Sequence, residues 1–215
     1  AEFFPLLPNI QESIDKYYPG TKIAFTEYNF GGGDHISGAV AQADTLGIFA
    51  KYGVYFATIW SFDQNEYQLA AMNMFTNYDG AGNGFGDTLV KSECDNDNIS
   101  VYSSIDGEDE GTVKIIITSH DLHNETPVNI KISSDSRYAD AEVYALYGDS
   151  TEIHRLDDIS KIKDNSISID IKPLSVTEIV VHSGKKSAVP VIAVCAAAVI
   201  AVGAGVCVAL KKREK

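Results

Sequence analysis

The sequence predicts an α/β segment, then an all-β domain, and then one helix long enough to cross a membrane. Three observations carry this prediction. Residues 1–86 alternate helical patterns with two short apolar runs, in the order αβαβα. Residues 87–182 carry about seven short strand signals separated by acidic turns, which is typical of an antiparallel β-sandwich. Residues 188–210 are uncharged and consist mostly of Val, Ala and Ile.

Pro and Gly residues mark the ends of the helical patterns in the α/β segment. Pro19 and Gly20 end the first helical pattern, and Gly53 follows the second. Two strands joined through a helix are expected to be parallel, with a right-handed crossover. Two strands cannot close a barrel, so the segment is either an unusual small α/β unit or the end of a larger barrel. The predicted elements are helices at 2–18, 36–51 and 67–77 and strands at 21–27 and 54–62.

The all-β domain contains two strands whose pattern is especially regular. Residues 128–132 and 167–171 alternate apolar and polar side chains, as antiparallel strands with one buried face do. The other strands are predicted at 87–92, 99–104, 112–119, 141–147 and 176–182. Residues 183–187 are then a short linker.

The apolar run at 188–210 predicts a transmembrane helix. At about 1.5 Å per residue it is long enough to cross a bilayer core of about 30 Å. The tail at 211–215 contains Lys211, Lys212, Arg213 and Lys215, which predicts a cytoplasmic C-terminus. Residues 1–187 are accordingly expected outside the cell, anchored at its surface.

The bulk composition excludes some functions. A formal charge of −13 argues against binding to nucleic acid, whose phosphates attract Lys and Arg. Three cysteines, of which two lie in the apolar run, do not form a disulfide framework or a zinc motif. Because the first residue is not Met and no signal peptide follows it, we expect the chain to begin inside a longer gene product.

Two acidic runs, at 95–98 and 106–110, raise the question of a metal ion. Calcium binds oxygen ligands of this kind, but neither run has the spacing of an EF-hand loop. We expect solvated turns and no cofactor or metal, with calcium as the alternative.

The candidate site lies at the ends of the two strands of the α/β segment. Glu27 ends the first strand, and Trp60, the single Trp of the chain, ends the second. The carboxyl ends of parallel barrel strands form the face that carries catalysis. Residues 31–33 are three glycines, but without a GxGxxG or P-loop pattern they do not favour phosphate binding. Asp34 is placed to cap the next helix.

The wider block at 26–38, which reads TEYNFGGGDHISG, closely resembles glycoside hydrolase family 44, as do AQAD at 41–44 and TIW at 58–60. The resemblance extends over most of residues 1–182. It implies a retaining endo-β-1,4-glucanase or xyloglucanase built from a (β/α)8 TIM barrel and a β-sandwich. Residues 1–86 would then be the C-terminal part of the barrel, with its last two strands.

The resemblance also implies roles for individual residues. Glu27 corresponds to the catalytic nucleophile. Trp60 would stack under a sugar, and Tyr28 and Asn29 would contact the nucleophile or substrate hydroxyls. The acid/base carboxylate of the family lies on the fourth barrel strand, upstream of this chain. The chain would therefore carry half of the catalytic pair, act on β-glucan or xyloglucan only within a larger protein, and be inactive alone.

The alternative is a non-catalytic, membrane-anchored surface module that binds polysaccharide or a protein partner. The missing acid/base carboxylate favours it. The sandwich, however, has no Trp, and its Tyr residues form no evident sugar-binding platform.

Overall fold

The computed structural model describes residues 5–60, 63–184 and 204–209. Within these residues the protein is mostly β, with three helices and eleven strands. The α/β segment consists of α1 (Leu6–Tyr17), β1 (Ala24–Tyr28), α2 (Ile36–Lys51), β2 (Phe56–Ile59) and α3 (Glu66–Thr76). The predicted order αβαβα is therefore observed, and the bounds of α2 are those predicted.

Strands β1 and β2 are parallel, as expected from the crossover through α2. Helices α2 and α3 pack against each other through small and apolar side chains, among them Ala39, Ala43, Ala71 and Met74, which are fully buried. The small side chains of α2 let the two helices approach closely. Helix α2 meets β1 through the Phe49 ring and meets the strands of the all-β domain on its other side, so it lies between the two.

The remaining strands form one nine-stranded sheet in the order β8-β7-β10-β5-β4-β3-β11-β6-β9. Seven of them correspond to the predicted strands, and the two-residue β8 and the C-terminal β11 were not predicted. The strands are β3 (Thr88–Cys94), β4 (Ile99–Asp106), β5 (Asp109–Ser119), β6 (Thr126–Ser133), β7 (Tyr138–Tyr147), β8 (His154–Arg155), β9 (Ser166–Ile171), β10 (Ser175–Ser183) and β11 (Ala204–Ala209).

The strands differ in how many faces they bury. Strands β6 and β9 alternate buried and exposed side chains, as their sequences predict. Most of β5 and β10 is instead buried on both faces. One face, with Ile115 and Ile179, packs in the same core as the buried side chains of β6 and β9, so the nine-stranded sheet folds over on itself as a sandwich. The other, with Ile116 and Val180, packs under α2 and α3. The helices therefore form a third layer on the sandwich.

The predicted transmembrane helix at 188–210 is wrong where the structure describes it. Residues 204–209 form β11, which is antiparallel to β3 and parallel to β6. Residues 185–203 and 210–215, which include the rest of that segment and the basic tail, lie outside the described residues. Among the described residues, none of the three helices has the length and the apolar composition that a membrane span requires. An apolar run of β-branched residues fits a strand as well as a helix, and here β3 and β6 supply its backbone partners.

Asp44 of α2 joins the α/β segment to the sandwich. Its carboxylate accepts hydrogen bonds from the Thr118 hydroxyl at 2.6 Å and the Tyr102 hydroxyl at 3.3 Å, and lies 2.6 Å from His120 Nε2. Burial and the nearby Asp44 raise the pKa of Tyr102. Gly47 lets the Tyr102 ring lie directly on α2, since a Cβ there would be 2.4 Å from the ring. The two parts are thus joined by polar contacts as well as by apolar packing.

Glu178 of β10 is buried in the apolar layer between the helices and the sheet. It is fully buried, and neither carboxylate oxygen has a hydrogen-bond partner among the described residues. Burial away from water raises the pKa of Glu178 well above its ordinary value. A neutral, protonated carboxyl is the form that this environment favours.

Candidate active site

The carboxyl end of β1 is irregular, and the irregularity exposes Glu27. The register with β2 shifts between Phe25 and Tyr28. Both of these rings lie on the helix side, with Phe25 stacked on Phe49 at 5.0 Å between ring centroids and Tyr28 edge-on to Phe49 at 5.4 Å. Regular alternation would place Glu27 on the same side as Phe25. With the shift, Thr26 and Glu27 are both exposed on the other side.

Glu27 belongs to an open sheet face that also exposes aromatic side chains. The Phe56 and Trp60 side chains are 51% and 53% exposed. Within the described residues the Glu27 carboxylate has no hydrogen-bond or ion-pair partner. In a closed barrel of parallel strands this face points inward. The exposed side chains of the face, which we call the open face, are those of Ala24, Thr26, Glu27, Phe56, Thr58 and Trp60.

Asn29 connects the ends of the two strands. Its amide Nδ2 donates to the Trp60 carbonyl at 2.6 Å, and its Oδ1 accepts from the Gly31 amide at 2.8 Å. The Trp60 amide in turn donates to the Tyr28 carbonyl at 2.8 Å. These bonds hold the backbone on either side of Glu27 and Trp60. Asn29 thus orders the loop that follows β1. The substrate contacts predicted for Asn29 and for Trp60 stay predictions.

Tyr28 points away from the open face. Its ring is half-buried against Phe49, and its hydroxyl accepts a hydrogen bond from Nε2 of the fully buried Gln42 at 2.8 Å. The sequence does not reveal this orientation, because it depends on the register shift in β1. The role predicted for Tyr28 in substrate binding is not tested by this geometry, but its hydroxyl is already engaged with α2.

The glycine loop makes close backbone contacts. Gly31 and Gly32 have φ of +73° and +67°, a region that glycine adopts without strain. The Gly31 carbonyl accepts from Gln68 Nε2 at 3.1 Å, and the Gly33 carbonyl accepts from the Tyr67 amide at 2.9 Å. The loop that follows the candidate nucleophile is therefore attached to the start of α3.

The helix cap is not the predicted one. His35, and not Asp34, caps α2: its Nδ1 accepts from the Ser37 amide at 3.1 Å and lies 2.9 Å from the Ser37 hydroxyl. The ring has to be unprotonated at Nδ1 to accept this amide hydrogen. His35 therefore has a structural role in this geometry, at the end of the glycine loop.

We expect Gly38→Ala to destabilise the protein and to displace the glycine loop. An alanine Cβ would lie 1.9 Å from the Gly32 carbonyl oxygen, so backbone would have to move. In an open helix the same change stabilises by about 1 kcal/mol, whereas overpacking costs about 1–3 kcal/mol. Thermal unfolding measures the difference. Gly184→Ala is the control, because its Cβ would lie 3.1 Å from the Ala139 methyl and, among the described residues, would meet no backbone atom within 4 Å. An unfolding temperature equal to or above that of the unmodified chain would contradict the expectation.

The described residues contain no group of three or more His, Cys, Asp or Glu side chains that could hold a metal ion. In the acidic turn at 106–110, the Asp106 carboxylate binds Lys114 at 2.9 Å, and Asp109 Oδ1 accepts from the Gly111 amide at 3.0 Å. A cofactor-free site, and calcium as its alternative, remain predictions from the sequence.

A cleft of about 950 Å³ lies away from Glu27, between the turn after α3 and the helix-facing side of the sheet. Its charged side chains are already paired. Arg155 binds Asp158 at 2.9 Å, and Asp79 accepts from the Asn83 amide group at 2.6 Å. The open face, rather than this cleft, carries the predicted catalytic residue.

Solved structures share this architecture. A family 44 endoglucanase from Clostridium thermocellum is 46% identical, with a TM-score of 0.82 over 84% of this chain and 36% of that one. A xyloglucanase from Paenibacillus polymyxa, also solved with xyloglucan, is 34% identical, with a TM-score of 0.83 over 85% of this chain and 36% of that one. The fold, the open face and the similarity to these two structures together define the chain as part of a glycoside hydrolase.

Sequence comparison leads to the same class. A β-mannanase/endoglucanase A of Caldicellulosiruptor saccharolyticus is 40% identical over 172 residues, which are 80% of this chain and 13% of that protein. No protein-family model matches the chain. The chain is a partial member of glycoside hydrolase family 44. It spans about a third or less of the length of these relatives.

Proposed function

We propose that this chain supplies the nucleophile of a retaining glycoside hydrolase that cleaves internal β-1,4 bonds of glucan or xyloglucan. The observation that carries the proposal is the exposed Glu27 carboxylate at the irregular end of β1, on the open face with Trp60. A retaining enzyme needs a carboxylate that attacks the anomeric carbon and forms a covalent glycosyl-enzyme. Glu27 is the one carboxylate among the six side chains of the open face.

The second carboxylate of the reaction comes, in this proposal, from the part of the barrel that the chain does not contain. Retaining enzymes place the acid/base carboxyl about 5 Å from the nucleophile, where it protonates the leaving oxygen and later activates water. The exposed Phe56 and Trp60 rings support the proposal, because the rest of a barrel would cover such a face. The chain alone is accordingly inactive.

The substrate class follows from the relatives. They are named as endoglucanases, and one of them as a xyloglucanase whose structure was solved with xyloglucan. Trp60 suits a sugar ring, because an aromatic face packs on the C–H face of a pyranose. Since a polysaccharide of this kind lies outside cells, the proposed site of action is extracellular.

A reconstituted enzyme tests the proposal. In it this chain replaces the matching part of the C. thermocellum endoglucanase, which is 46% identical. We expect it to release reducing ends from a soluble β-1,4-glucan and from xyloglucan. Proton NMR of the first product should show the β-anomer, as retention requires. The 215-residue chain alone, at the same concentration, is the control and should show no hydrolysis.

Two outcomes would contradict the proposal. A folded reconstituted enzyme that binds polysaccharide without hydrolysing it would favour the non-catalytic binding module. A first product of inverted configuration would exclude a covalent intermediate on Glu27.

A further inference from the structure

We propose that Gln42 is a positioning residue for the nucleophile, acting through the hydroxyl of Tyr28. This inference rests on the proposed function, in which Glu27 attacks the substrate. Gln42 lies on α2, on the helix side of β1, and does not reach the open face. It would thus affect catalysis by fixing backbone rather than by touching substrate.

The burial of Gln42 calls for a reason. The side chain is fully buried among the apolar residues of α2, and its Oε1 has no hydrogen-bond partner among the described residues. An unpaired buried polar atom destabilises the fold, because it has lost its hydrogen bonds to water and gained none in their place. A leucine of similar size would avoid that cost. The structure offsets this cost with one hydrogen bond, which the Gln42 Nε2 donates to the Tyr28 hydroxyl at 2.8 Å.

The hydrogen bond from Gln42 restrains Tyr28, which is the residue next to Glu27. Because of the register shift between Phe25 and Tyr28, Tyr28 lies on the helix side of β1 and Glu27 on the open face. If the Tyr28 ring turned or the shift relaxed, the alternation of the strand would carry Glu27 toward the helix side. Gln42 and the Phe49 ring both contact Tyr28 on the helix side of β1. These contacts fix the Tyr28 ring and thereby stabilise the register shift that exposes Glu27.

The effect on rate follows from geometry. A nucleophile has to stand within about 3–3.5 Å of the carbon that it attacks, and a displacement of about 1 Å can cost about 100-fold in rate. Binding of a long polysaccharide involves many other contacts and should change little. The inference therefore predicts a loss in kcat with little change in KM.

A double-mutant cycle in the reconstituted enzyme tests this inference. Gln42→Leu removes the hydrogen-bond donor, and Tyr28→Phe removes only the hydroxyl that accepts this hydrogen bond. We expect each single variant to lower kcat about 10- to 100-fold with KM changed by less than about twofold. The double variant should be no slower than the slower single one, because the two groups act as one unit.

Gln68→Leu is the matched control for burial. Gln68 is also a buried glutamine with an unpartnered Oε1, but it binds the Gly31 carbonyl and not Tyr28. Its effect on kcat, whatever its size, should multiply with that of Tyr28→Phe. If Gln42→Leu also multiplies with Tyr28→Phe, Gln42 does not act through the hydroxyl. If Gln42→Leu fails to fold, Tyr28→Phe alone decides, since an unchanged kcat would overturn the inference.

Failure of the inference can be told from failure of the proposed function. If the reconstituted enzyme is inactive, or stays active after Glu27→Gln, the proposed function fails and Gln42 has no nucleophile to position. If the enzyme is active and Glu27→Gln abolishes turnover, an unchanged kcat in folded Gln42→Leu overturns the inference alone.

Discussion

Glu27→Gln in the reconstituted enzyme is expected to lower kcat by at least about 1,000-fold, since loss of a catalytic nucleophile costs that much or more. The amide keeps the size of the side chain, but its oxygen cannot form the glycosyl-enzyme. Glu27 is exposed and has no partner among the described residues, so its replacement breaks no contact of the fold. Initial rates on a soluble β-1,4-glucan measure the effect. Affinity for the polysaccharide, measured by gel retardation, should be unchanged.

The control for Glu27→Gln is Glu152→Gln, an equivalent change at an exposed position near β8. It should leave kcat and KM unchanged. A small anion offers a further check, because azide or formate can occupy the space left by Glu27→Ala and partly replace the carboxylate. Retained turnover in Glu27→Gln would remove Glu27 from the mechanism.

The parts of the fold that were predictable are those with a local signal. The bounds of α2 follow from its apolar spacing and from Gly53 after its end, and they match the structure. The alternation in β6 and β9 marks strands with one buried face. The position of Glu27 at the end of a parallel strand was also readable, because it depends only on where an apolar run stops.

The parts that were not predictable depend on contacts distant in sequence. The exposure of Glu27 comes from a register shift, and its Tyr28 neighbour faces a helix residue 14 positions away. Strand β8 has two residues, too few for any periodicity. Strand β11 lies in an apolar run whose composition suits a helix equally, and the edges of β3 and β6 decide its conformation. Only tertiary partners distinguish these outcomes.

Glu178 leads to the second large effect, a loss of stability as the pH rises. The folded state buries this carboxyl without a partner and raises its pKa, so it binds the proton more tightly than the unfolded chain does. Its contribution is therefore fully present below the ordinary carboxyl pKa and is lost as the pH rises toward the folded pKa. The free energy of unfolding should fall by up to about 1.4 kcal/mol per pH unit in that window.

The groups around Glu178 leave this sign unchanged. From β5, Lys114 favours the ionised form, but its ammonium group is bonded to Asp106 at 2.9 Å. From the turn after α3, Asp79 opposes ionisation, and Tyr78 is a buried neutral phenol whose pKa burial and Glu178 raise. From β7, Tyr144 has its pKa raised to about 12, so it too stays neutral, and the Glu142 carboxylate is paired with Arg155 at 3.3 Å.

Urea unfolding of the chain and of Glu178→Gln, between about pH 5 and pH 8, measures the effect. Glutamine resembles the protonated carboxyl and does not titrate, so this variant should lose much of the decline and be the more stable of the two at the upper end. Glu152→Gln, at an exposed site, should keep the full decline. A decline of equal slope in Glu178→Gln would show that Glu178 does not retain its proton on folding. The ionised carboxylate would then have to find a partner between the helices and the sheet, in a layer whose other members are mainly apolar side chains and neutral phenols.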